Sequence, residues 1–281
     1  MAALLASLSS LLWGTGDFLG GTLSRRVHPV AVMQATQGLA GVVLVVIVVA
    51  TGEQGRTGAI GWGIAAGAAG CLGLGCFYAA LAAGTMGVVA PIAALGVVVP
   101  VGAGLIGGDS PSPAQLVGIV VAIVGVVLAS GPERAATAGT STAARRRAPL
   151  LAAVAALSFG LVLTLVPEGS EVSVAMTLLA MRVTNFSLCT ALLLTGLRRA
   201  TRPGRRDLPS LSVIAATDTG ANGTYAVAAT MGQVSVSAVL ASLYPAVTAL
   251  LAWRFHHERL RPVQVVGVVA TIAAVGLIAA G

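Results

Sequence analysis

The chain has 281 residues, of which 57% are hydrophobic and only 9% charged, against about 25% charged in an ordinary soluble domain. So few charges cannot coat a water-exposed surface, which excludes a soluble globular protein and makes lipid the natural solvent. The net charge of +7 comes from arginine alone, since the sequence has no lysine; no basic-aromatic interleaving accompanies it, so no nucleic-acid partner is implied.

Apolar runs recur at 3–22, 29–50, 58–82, 86–107, 113–130, 149–167, 173–196, 210–230, 234–255 and 262–280. Each is close to the roughly 20 residues that cross a bilayer, so the sequence predicts an all-α polytopic membrane protein with ten transmembrane helices. Residues 1–24 contain no Lys or Arg, so the first run lacks the positive flank of a signal peptide and reads as a retained helix. Gly16/Gly20, Gly63/Gly67 and Gly104/Gly108 are spaced by four, placing two small residues on one helix face for close packing. Cys71, Cys76 and Cys189 lie inside apolar runs without metal-ligand spacing, so they read as packing residues and no metal or other cofactor is implied.

The polar stretch 131–148 ends in Arg145, Arg146 and Arg147 and reads as a flexible linker between a first half, 1–130, and a second, 149–281. All but two of the 16 arginines, Arg56 and Arg182, fall in the connections after runs 1, 5, 7 and 9. Positive charge marks the cytoplasmic side, so the count places both termini outside.

The two halves repeat one another. Asp109, Pro113, Gln115 and Gly118 recur 149 residues later as Glu258, Pro262, Gln264 and Gly267. Trp13-Gly14 matches Phe159-Gly160, Met33-Gln34 matches Met181-Arg182, Tyr78 matches Tyr225, and Pro100 matches Pro245. Five helices per copy force the copies into opposite orientations, which predicts an inverted repeat with a site at the repeat interface.

The run from Ala238 through Tyr244-Pro245, followed by His257-Glu258-Arg259-Leu260, Gln264 and Gly267, resembles the terminal signature of EamA-type transporters of the drug/metabolite transporter superfamily. Trp13-Gly14, Arg182 and the region from Ala79 to Pro91 are also similar to that family. The resemblance implies ten helices in two five-helix repeats, transport of small metabolites, usually export, and cytoplasmic termini, opposite to the arginine count. The first half departs from the pattern, keeping only Gly108-Asp109-Ser110 of the usual acidic-basic signature.

Charges within hydrocarbon demand a partner or a wet cavity. Asp17, Arg182 and Asp218 all lie inside apolar runs. Asp17 follows Trp13 by four residues on one helical face, offering a titratable group beside an aromatic wall to a proton or a cationic substrate; it equally fits a carboxylate that neutralises an arginine. Arg182 and Asn185 share a face, and their counterparts Gln34 and Gln37 keep the spacing. That set suits a carboxylate or phosphate, because guanidinium binds such groups bidentately, or else Arg182 forms a buried ion pair with Asp17 or Asp218. Asp218, Asn222 and Tyr225 form one polar stripe, with Asp218 a candidate for proton coupling. Tyr78 and Tyr225 are candidates to line the path, and Pro91, Pro100 and Pro245 free backbone carbonyls that can kink a gate.

The leading expectation is a secondary transporter, exporting a small polar or amphipathic, amino-acid-like metabolite by alternating access, with protons as candidate coupling ions. Multidrug efflux and exchange of phosphorylated metabolites are alternatives, and a non-transporting scaffold or sensor is a third class. A chain without lysine has no phosphate-binding loop for ATP. No intramembrane nucleophile, base or metal pattern suggests an enzyme. The arginine-only, Ala/Gly/Val-rich composition points to a high-GC bacterium and hence to its plasma membrane.

Overall fold

The computed structural model describes residues 1–24, 26–83, 92–93, 95–129, 142–256 and 261–280. Among them every regular element is helical. The helices are α1 (Ala2–Ser24), α2 (Pro29–Thr51), α3 (Gly58–Ala83), α4 (Val98–Ile106), α5 (Pro113–Ala129), α6 (Thr142–Ser170), α7 (Val174–Thr195), α8 (Leu208–Met231), α9 (Val234–Ala241), α10 (Tyr244–His256) and α11 (Pro262–Ala280). Pro91, His257, Glu258, residues 131–141 of the expected linker and the side chains of Tyr78 and Pro245 lie outside the described residues.

Among the described residues, five helices are long and apolar enough to cross a membrane: α1, α2, Gly58–Phe77 of α3, Pro149–Ser170 of α6, and α7. Their outward faces carry large apolar side chains in the open, such as Val42, Val46 and Val49 of α2 and Leu157 and Leu161 of α6, as a lipid-facing surface requires. Helix α8 spans 24 residues but is more polar, and Asp218, Asn222 and Tyr225 turn toward the other helices.

Two helix boundaries differ from the sequence reading. Helix α6 begins at Thr142, so residues 142–148 belong to a helix and not to a linker; Ala and Arg are strong helix formers and nothing in Thr142-Ala-Ala-Arg-Arg-Arg-Ala breaks the helix. The expected span 234–255 is broken at Ser242 and Leu243 into α9 and α10. Pro245 explains the break: it has no N–H for the Ala241 carbonyl, but as the second residue of α10 it needs none. Pro100 likewise sits in the first turn of α4, after a 3₁₀ turn at Leu95–Val97. Both prolines follow a change of helix rather than bending a continuous one.

The small residues divide by what they touch. A Cβ on Gly63 would stand 2.4 Å from the Thr177 carbonyl, and one on Gly67 2.8 Å from that of Met181, so these glycines let α3 and α7 meet backbone to backbone. Gly16 abuts Thr217, whereas open space surrounds Gly20. Gly108 lies past the end of α4, at φ 106°, in a turn and not on a packing face. Cys71 and Cys189 are free thiols that lie near one another between α3 and α7.

The connections gather at two ends. At one, Arg26 pairs with Asp207 at 2.5 Å and the His28 amide donates to the Thr201 carbonyl. At the other, Ser173 is hydrogen bonded to Glu53, Arg56 Nη1 donates to the Val172 carbonyl at 3.4 Å, and Ser235 donates its backbone N–H to Asp109 Oδ2 at 2.8 Å. The core between them holds the polar side chains that matter most.

Candidate functional site: a polar node between the halves

Helices α1, α2, α7 and α8 converge on one carboxylate. Asp218 Oδ2 accepts from Arg182 Nη1 at 2.6 Å and from Gln37 Nε2 at 3.3 Å. Its Oδ1 accepts from Asn222 Nδ2 at 3.2 Å and from Trp13 Nε1 at 3.3 Å. Four donors from four helices thus fix one acidic group roughly 15–20 Å from each end of α8, at 1.5 Å of rise per residue.

Arg182 is the reason this node is buried so deeply. Its side chain is 1% exposed, and an unpaired guanidinium there would be prohibitive. Nη1 is shared between Asp218 and Gln37 Oε1, the latter at 2.8 Å, and Nη2 reaches the Asp218 backbone carbonyl at 3.4 Å. Of the two sequence readings of Arg182, the geometry is that of the ion pair. Nε of Arg182 and the side-chain carbonyls of Asn185 and Asn222 are buried without a hydrogen-bond partner among the described residues, so the node holds polar capacity that its own members do not use. Gln34 stands apart, donating to Thr190 Oγ1 at 3.2 Å.

Asp17 is placed differently. It lies within the bundle, close enough to Asp218 and Tyr244 for their groups to interact electrostatically, yet it is exposed and makes no hydrogen bond or ion pair among the described residues. Trp13 stands beside it, with ring centroids 6.0 Å from Tyr225 and 6.1 Å from Tyr244. Tyr244 was not singled out from the sequence, although it immediately precedes the helix-breaking Pro245.

Tyr225 does not line open space. It is fully buried and its hydroxyl donates to the Leu163 carbonyl of α6. Four residues beyond Leu163 is Pro167, inside α6, which has no N–H to give that carbonyl. The tyrosine supplies the missing donor and stitches α8 to α6. Pro167 carried the signal in the sequence, because an interior proline always leaves the carbonyl four residues earlier in need of a partner. Tyr78 is on α3, its side chain outside the described residues, and Pro100 is buried at the base of α4, away from the node.

Among the described residues no group of three or more His, Cys, Asp or Glu is positioned to hold a metal. His28 caps α2, its Nδ1 accepting from the Val30 amide at 3.3 Å, and His256 ends α10.

No curated protein matches the sequence. A solved crystal structure of a protein aligns with 98% of this chain and 95% of its own, at 17% identity and a TM-score of 0.78, which establishes a shared fold. The model of the EamA-like transporter family matches residues 1–131 and again 146–280, one match to each half and nearly the whole chain between them. This multi-pass membrane protein therefore belongs to the EamA-like transporter family, within the drug/metabolite transporter superfamily.

Proposed function

We propose that the chain is a secondary transporter that exports a small polar, amino-acid-like metabolite across a bacterial plasma membrane by alternating access, with ten spans in two inverted five-helix halves. The observation that carries this reading is the charged node at the middle of the spans, with a second carboxylate beside it that is unpaired among the described residues. Burying four polar side chains and an ion pair in a bilayer is destabilising unless the site does work.

Helix packing supports the inverted arrangement. Helix α1 packs on α8, as α3 packs on α6; α2 packs on α7, and α5 on α11. Helix α1 also meets α9 and α10, as α6 meets the 95–106 segment. Exchanging each helix for its counterpart in the other half maps this pattern onto itself. Asp17 is the group through which a proton or a substrate charge would couple to the change of state. Exchange of phosphorylated metabolites is disfavoured because Arg182 is already neutralised by Asp218, whereas the aromatic wall of Trp13 and Tyr244 also favours multidrug efflux.

The test is untargeted metabolite profiling of medium and cytosol, comparing cells that overproduce the chain with cells carrying the empty vector. At least one compound should leave the cytosol and enter the medium only when the chain is present. If no compound does so across several growth conditions, the export reading is wrong.

A further inference from the structure

The two carboxylates at the centre of the bundle are not equivalent, and the difference bears on what the transporter carries. Successive residues advance about 100° around an α-helix, so neighbours of known contact locate every face of α1. Ser9 and Gly16 touch α8, through the Ala221 carbonyl and Thr217, while Gly14 touches α10 at Tyr244 and Val247. Trp13 and Asp17 fall between these two directions. Leu4, Leu8 and Leu11 are exposed on the opposite side, which is the lipid face. The exposure of Asp17 is therefore to the gap between α8 and α10. Among the described residues no atom outside α1 stands within 4 Å of a Cβ built on Gly20 or Gly21, so the gap continues past Asp17 toward the Arg26 end.

Charge in this gap does not cancel. Asp218 is matched by Arg182 and saturated by donors, and Arg182 has no exposed face to offer an anion. Asp17 has neither cation nor donor among the described residues. Its walls are Trp13 and Tyr244, both part-exposed, and Trp13 is oriented by its N–H bond to Asp218. A carboxylate at the edge of aromatic rings, with no cation or hydrogen-bond donor on it among the described residues and with Arg182 already engaged by Asp218, is complementary to an organic cation.

We propose that Asp17, Trp13 and Tyr244 form a subsite for a protonated amine, and that the transported substrate must carry one. The inference rests on the transporter reading and narrows its substrate to amine-bearing compounds. Asp17 meets the ammonium group, the rings cover its hydrocarbon substituents, and the Arg182–Asp218 pair holds Trp13 in place without touching the substrate.

The experiment uses cells producing wild type, Asp17→Asn or Asp17→Glu at equal membrane levels. They are supplied with 2-phenylethylamine, phenylalanine and 3-phenylpropionate, which share a ring and chain but carry a cation, a zwitterion and an anion; endogenous metabolites are read in the same samples. Every compound that wild type moves should carry a protonatable amine. Asp17→Asn should reduce that movement about ten-fold or more, as loss of one desolvated charge contact implies, and Asp17→Glu should restore part of it. Movement of compounds that lack an amine, or equal movement by Asp17→Asn, overturns the subsite while leaving the transporter reading intact. If wild type moves nothing, the transporter reading falls and the subsite with it.

Discussion

At Asp218 one side chain answers four donors, and the consequences of removing its charge follow from Arg182. Asp218→Asn keeps an acceptor for Arg182 and Gln37 but strands a guanidinium that is 1% exposed. Breaking such a pair from one side destabilises by up to about 3 kcal/mol, less than for a fully dry pair because the Asp218 side chain keeps some exposure. Thermal unfolding of the detergent-purified variant, followed by size-exclusion chromatography, should show that loss, whereas Asp17→Asn should unfold like wild type. Equal stability of the two variants would mean that the ion pair does not hold the node. The sequence showed that all three charged residues lay within apolar runs, because charge in hydrocarbon is conspicuous. It could not show how they pair, because that depends on which helix faces which across the bundle. The role of Tyr225 was legible in principle from Pro167, but only once α6 and α8 were known to touch.

The helices repeat this lesson at the next scale. Apolar run lengths located the helices well, since a bilayer fixes how many residues a span needs. Boundaries failed where no apolar contrast existed: the start of α6 is hidden in a polar but helix-forming segment, and the break between α9 and α10 is signalled only by Pro245 just downstream. The glycine spacing gave faces, not neighbours. Gly63 is pressed against the Thr177 carbonyl and the Ala180 methyl, the latter 2.6 Å from a Cβ, while Gly20 meets nothing. Gly63→Ala should therefore push α3 from α7 and destabilise by about 1–3 kcal/mol. Gly20→Ala should be neutral or stabilise by a few tenths of a kcal/mol through helix propensity. Chemical unfolding of both variants in detergent distinguishes these outcomes; a tolerated Gly63→Ala would show that the α3–α7 interface yields easily.

Over the whole molecule, the described loops differ in charge, although Asp207 pairs with Arg26 at the arginine-rich end. Arg26, Arg198, Arg199, Arg202, Arg205 and Arg206 share one end, while Glu53, Asp109 and Glu171 share the other with Arg56. Positive charge favours the cytoplasmic side, so the arginine end, toward which the gap beside Gly20 and Gly21 leads, is expected there. In a background without Cys71, Cys76 and Cys189, a membrane-impermeant maleimide should label Gln54→Cys in intact cells and Arg202→Cys only after permeabilisation. The reverse result would invert the molecule in the membrane and match the cytoplasmic termini that the family resemblance implies.

Under the proposed amine subsite, the Asp17 carboxylate would also make voltage a participant in transport. In its ionised form an empty carrier moves one negative charge with the gap, while a carrier holding a monovalent amine moves none. A charge crossing the full field gains or loses about 2.3 kcal/mol per 100 mV. With the cell interior negative, the field would then act on the empty return step and leave the step loaded with a monovalent amine electrically silent, so the resting population of empty carriers would be set by membrane potential as well as by substrate.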